Sequence, residues 1–181
     1  MGDLIRKTKD SHGLLAYKKA KLIYALNYWF ITNISLSCRR TFEQMDQAAR
    51  SGKQTVEEGI NNYATSKASG IHVVNVAVGS LKELKEDYED FLLIHNLESW
   101  RYEDEKYKAA QKLGREKFEN ISFFINLFES RRDKPEVLAN IMVILLRQTI
   151  YLQEALLKSL EKDLLENGGF RENIYKKRKG K

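Results

Sequence analysis

The sequence predicts an all-α protein, and three observations carry that prediction. Leu, Lys, Glu, Ala and Ile recur at i, i+3, i+4 spacing along most of the chain, as an amphipathic helix requires. Only one proline occurs in 181 residues. No alternating apolar–polar run bounded by turn residues marks a strand. The expected architecture is an antiparallel four-helix bundle with a helical insertion before the last helix. A single domain over about 12–170 should form it, between a basic N-terminal segment at 1–11 and a basic tail at 171–181. A chain of this size buries enough surface to fold without staples.

The first helix is expected from about His12 to Ser37, with Ser11 as its N-cap. Ala16, Ala20, Ile23, Phe30 and Ile34 form its stripe, widened by Leu15, Leu22, Leu26 and Trp29. Thr41 should cap a second helix that reaches about Asn62. Its inward positions are Phe42, Met45, Ala49, Gly52, Val56 and either Gly59 or Ile60. Interior glycines cost a helix roughly 1 kcal/mol each, so two of them imply tight packing against a neighbour.

Thr65-Ser66 reads as the cap of a third helix ending near His95. Ile71, Val74, Val78, Leu81, Tyr88 and Leu92 share its inner face. Residues 98–132 form the insertion, where Phe118, Ile121, Ile125 and Phe128 predict one short helix. The final helix opens at Pro135, because proline suits a first turn whose N–H groups have no intrahelical acceptor. Leu138, Ile141, Leu145, Leu152, Leu156, Leu160 and Leu164 carry its core stripe to a stop at Gly168-Gly169.

Catalytic chemistry finds little footing. Lys9, Ser69 and Leu92 precede His12, His72 and His95 by three residues, so no Glu-x-x-His pair for a di-metal bundle exists. No metal or cofactor is expected. The lone Cys38 excludes an internal disulfide and suits a reducing compartment, and Arg39 and Arg40 beside it favour the thiolate without supplying a base. Glu58 and Glu83 are read as structural carboxylates that pair with a lysine, an arginine or a backbone N–H. Phosphate-loop, dinucleotide and nucleophile-elbow patterns are missing. The chain is therefore expected to act by binding rather than catalysis. With no export signal at residues 1–10 and no stretch of about 20 apolar residues, a cytoplasmic protein outside the membrane is expected.

The charge pattern points to partners. Residues 1–22 hold six basic against two acidic residues, and 170–181 six against one, whereas 65–96 hold three against five. Basic segments neutralise phosphates and give salt-dependent, sequence-blind affinity for nucleic acid. The candidates are Lys18, Lys19, Lys21, Arg39, Arg40, Arg50 and Lys53, together with the tail residues Lys176, Lys177, Arg178, Lys179 and Lys181.

Two helices also carry a family pattern. It runs from Gln44 through Ala48-Ala49-Arg50-Ser51 to Glu58-Gly59, then Thr65-Ser66-Lys67, and then Ala77-Val78-Gly79-Ser80-Leu81-Lys82-Glu83-Leu84. This combination resembles the four-helix-bundle family named for proteins encoded in 23S rRNA intervening sequences. Ala139-Asn140 and the closing Asn167-Gly168-Gly169-Phe170 are similar to its suffix-domain subgroup. The resemblance implies a ring-like homopentamer. Through a related branch, the accessory protein of diversity-generating retroelements, it implies RNA or DNA, or a reverse transcriptase, as partner. Gln47 stands where many relatives have arginine, and Thr55 and Glu57 replace Asn and Ala, which weakens the basic character of this helix. Self-assembly into a protein-interaction scaffold, without nucleic acid, is the alternative expectation.

Overall fold

The computed structural model describes residues 2–34 and 39–168, with side chains from Leu14 onward. Helix α1 spans Gly2–Asn33, α2 Arg39–Tyr63, α3 Lys67–Ile94, α4 Glu105–Glu116, α5 Ile121–Glu129 and α6 Pro135–Asn167. No strand occurs among the described residues. The all-α expectation holds. Each long helix packs on two others: α1 on α2 and α6, and α3 on the same pair. The short α4 lies on α6, and α5 lies on α1.

Several boundaries differ from expectation. α1 begins at Gly2, so Ser11 is interior backbone and the N-terminal segment belongs to the helix. The expected end at Ser37 lies outside the described residues, as do Cys38 and Gly169. Thr41 sits inside α2, which opens two residues earlier at Arg39. Ser66 does cap α3, its hydroxyl accepting from the Ser69 amide at 3.4 Å. Pro135 occupies the first turn of α6, and Gly168 ends that helix at φ 63°, a value that favours glycine.

The insertion holds two helices rather than one. Ile121, Phe124, Ile125 and Phe128 set the phase of α5, with Phe124 and Phe128 fully buried. Phe118 falls in the connection between α4 and α5. Full burial of each phenylalanine stabilises by roughly 1.5–3 kcal/mol. Phe128 meets Trp29 edge-on at 5.5 Å, and the Trp29 indole N–H donates to Glu129 at 3.1 Å. The insertion is thus part of the core.

Small residues set the α2–α3 spacing. A side chain at Gly52 would enter Leu81, whose Cγ lies 2.7 Å from the would-be Cβ. At Gly70 a Cβ would meet the Tyr63 backbone at 2.6 Å and the Gly59 carbonyl at 2.7 Å. Gly59 faces Val74 at 2.6 Å in the same way. The cost of helical glycine is offset here by close backbone approach.

Polar groups are also built into the core. Asn27 is fully buried; its amide donates to the Met45 carbonyl at 3.1 Å, and its oxygen accepts from the Tyr88 hydroxyl at 3.0 Å. Asn140 on α6 holds the α3–α4 connection: its oxygen accepts from the Trp100 amide at 2.8 Å and its NH2 donates to the Glu98 carbonyl at 2.7 Å. α6 is buried without a break from Leu138 to Leu146. By length and composition this helix is apolar enough to cross a membrane, although polar residues interrupt it and no unbroken apolar run of that length occurs. In the fold, 61% of its apolar window is covered by protein, so core packing accounts for most of that apolarity.

Candidate nucleic-acid interface

The structure divides the basic candidates by environment. Lys18 reaches Glu119 at 2.6 Å and ties α1 to the segment between α4 and α5. Exposed pairs of this kind contribute about 0–1 kcal/mol, so the contact leaves Lys18 exchangeable. Lys19, one residue on, points the other way and is only 6% exposed. Its ammonium donates to the Gly114 carbonyl at 2.6 Å and to Gln148 Oε1 at 2.7 Å. Lys19 therefore does not face the surface with its neighbours, contrary to the sequence grouping. The tail residues Lys176, Lys177, Arg178, Lys179 and Lys181 lie outside the described residues.

On α2, Arg39 pairs with Glu43 one turn on, at 3.0 Å. Arg40 lines a groove between α2 and α3 together with Glu43, Glu83, Glu86, Asp87 and Asp90. Ser51 and Ser80 share a hydrogen bond of 2.9 Å across that groove. Burial first, then the charges of Asp90, Glu83 and Glu86, push the Asp87 carboxyl up to about 6. A phosphate chain would meet net negative charge here. Sequence reasoning saw acid on α3 but did not bring Arg40 beside it. Glu58 and Glu83 are exposed and have no ion-pair partner among the described residues, so their expected pairings with lysine or arginine are not formed. No group of three or more His, Cys, Asp or Glu side chains among the described residues is arranged to hold a metal.

The α1–α2 seam is different. Tyr17, Lys21, Tyr24 and Tyr28 follow i, i+4, i+7, i+11 spacing and so lie along one stripe of α1. Lys21 is exposed and Tyr28 is 57% exposed, while Tyr17 and Tyr24 are half-buried. From α2, the Lys53 ammonium sits over the Tyr24 ring, 4.1 Å from its centroid. Asp46, Arg50, Lys53 and Glu57 make the facing edge of α2 by the same spacing, with the two cations at its centre. Arg50 is exposed on this edge, and Lys53 is the cation that contacts an aromatic face across the seam. The signal is present in the sequence as tyrosines interleaved with lysine, which charge counting alone does not register.

Chemically, this stripe suits a flat, anionic polymer. Tyrosine faces accept stacked bases and ammonium groups contact phosphates, neither with base specificity. The chain matches no protein-family model, no curated protein and no solved structure.

Proposed function

We propose that this chain is a non-enzymatic, oligomeric accessory protein of the cytoplasm that binds single-stranded nucleic acid, RNA or DNA, along its α1–α2 seam. The observation that carries the reading is the tyrosine–cation stripe, with Lys53 over Tyr24 and with Lys21 and Tyr28 exposed two turns apart on the same stripe. The basic tail from Lys176 to Lys181 adds sequence-blind phosphate contacts. A nucleic-acid-processing enzyme such as a reverse transcriptase is the partner that the family resemblance adds, and a homopentamer is the assembly it implies.

The single-domain antiparallel four-helix bundle belongs to the same proposal. Contacts between α3 and α6 support it, since Lys67 meets Asp163, Lys82 meets Glu154 and Glu89 meets Arg147, so one helix descends as the other rises. Gly52 against Leu81 and Gly59 against Gly70 give α2 and α3 the same opposed sense.

A salt titration with labelled single-stranded and duplex RNA and DNA tests the binding. Wild type, Lys21→Gln/Lys53→Gln, Tyr28→Ala and a chain lacking 176–181 should all fold, because the changes are near the surface or in a polar tail. Removing one phosphate-binding cation should flatten the log–log salt slope by about 0.7 on single strands. Tyr28→Ala should weaken binding by about 1–3 kcal/mol and leave that slope unchanged. Equal affinity for all four proteins, or no binding at low salt, overturns the proposal. The alternative is a self-assembling scaffold, favoured by Leu93 and Ile94, which stand 77% and 74% exposed at the end of α3. Light scattering that returns a 21.1 kDa particle overturns self-assembly in either form.

A further inference from the structure

A second feature stands apart from the seam and does not depend on its reading. Between α1, α4 and α6 lies a cavity of about 440 Å³, within the range of small-molecule sites. Its walls are largely apolar: Leu15, Phe118, Ile144, Leu152 and the ring of Tyr151. Among the described residues three cations line it, Lys19, Arg115 and Arg147, and no carboxylate does. Arg147 is satisfied from outside by Glu89, at 2.9 Å. Arg115 and Lys19 have no ion-pair partner among the described residues.

Lys19 is the unusual member. A buried ammonium is normally paired with an acid, yet here its oxygen acceptors are neutral, the Gly114 carbonyl and Gln148 Oε1. The Phe118 ring adds a face 5.1 Å away. Burial, with Arg115 as the second cause, lowers the Lys19 pKa to about 8, so the amine still carries charge near neutrality. An ammonium has three N–H donors, and two are accounted for. The arrangement is held in place from behind. Gln148 also donates to the Gln111 carbonyl at 2.8 Å, and Gly114 lets α4 approach α6 so closely that a Cβ there would lie 2.6 Å from Leu145.

We propose that this cavity binds a small organic acid, a carboxylate on an aromatic or aliphatic body. The carboxylate takes the remaining Lys19 donor and the Arg115 guanidinium, and the body lies along Leu15, Phe118, Tyr151 and Leu152. Charge complementarity chooses the head group, because the acid supplies the negative charge that the described lining residues lack. The apolar walls choose the body, because a bare inorganic anion leaves them wet.

Isothermal titration of the full chain with octanoate, naphthoate, octanol and inorganic phosphate tests this. The two acids should bind roughly tenfold or more tighter than octanol, as charge-assisted hydrogen bonds imply, and phosphate should bind far more weakly. Arg115→Gln, at an exposed position, should remove most of the acid-over-alcohol preference, and Lys19→Met should abolish it. Lys108→Gln, on α4 but away from the cavity, should change nothing. If Lys19→Met fails to fold, Arg115→Gln and the cavity-filling Leu152→Trp decide, the latter abolishing binding of acids and alcohol alike. Equal affinity for octanoate and octanol overturns the proposal, as does phosphate matching the organic acids, or full acid affinity in Arg115→Gln and Leu152→Trp.

Discussion

Gly70 and Gly79 lie nine positions apart on α3, and the same substitution should change stability in opposite directions at the two sites. At Gly79 an added Cβ meets nothing within 4 Å. Alanine there should therefore gain helix propensity and lose unfolded-state freedom, stabilising by about 0.5–1 kcal/mol. At Gly70 the added carbon meets the Tyr63 Cα and amide nitrogen at 2.6 Å and the Gly59 carbonyl at 2.7 Å. Backbone cannot rotate away as a side chain does, so α3 must move off α2 and loosen the packing along their seam. Overpacking of this kind costs about 1–3 kcal/mol and outweighs the propensity gain. Thermal unfolding followed by far-ultraviolet circular dichroism, at one fixed protein concentration, reads both. For a chain of this length Gly79→Ala should raise Tm by about 1–4 °C and Gly70→Ala should lower it. Gly70→Ala with a Tm equal to or above wild type would refute the close-approach argument.

Two further perturbations probe polar groups. The folded-state pKa of Asp87, about 6, lies above its unfolded value. Its contribution to stability is therefore fully present below about pH 3.9 and is lost as pH rises through about 6. Asp87→Asn should melt above wild type at pH 7, with an advantage that shrinks to nothing near pH 4. A gap independent of pH would show that the cost of the Asp87 charge, from burial first and from Asp90, Glu83 and Glu86 second, is not its cause. Tyr88→Phe keeps the edge-on contact with Phe30, centroids 5.0 Å apart, but leaves the buried Asn27 oxygen without its donor. Denaturant unfolding should show a loss of about 1–3 kcal/mol. A loss below about 0.5 kcal/mol would mean that Asn27 finds another donor.

The helices that sequence reasoning placed well, α2, α3 and α6, are those whose signals are local. Met45, Ala49, Gly52 and Val56 repeat on one stripe, Ser66 caps, and Pro135 opens a helix; each acts within a few residues of itself. The missed features depend on distant segments. Lys19 reads as one of a surface cluster with Lys18 and Lys21, and only the packing of α4 about a hundred residues later buries it. Asn27 reads as a polar interruption of a stripe until Met45 and Tyr88 arrive to satisfy it. Asn140 is likewise explained only by the return of Trp100. Thr41 misleads for a different reason: a capping side chain is permissive, and α2 continues back through Arg40 to Arg39 without needing it. The seam lay between these cases. Tyr17, Lys21, Tyr24 and Tyr28 show helical spacing in the sequence, but Lys53 joins them only across the α1–α2 contact.

The docking of α5 on α1 has a consequence for how the chain is made. Trp29 waits for Phe128 and Glu129, partners about a hundred residues downstream. At a synthesis rate of about 5–20 residues per second, one face of α1 stays uncovered for roughly 5–20 s after it is made. Docking of α2 within that interval would cover only the face of α1 that meets α2, and Trp29 would remain open to water and to other nascent chains. The Trp29 face of α1 is thus open to chaperone capture and to misassembly during translation. Destabilising changes in the remote α5 prolong that exposure without touching α1 itself.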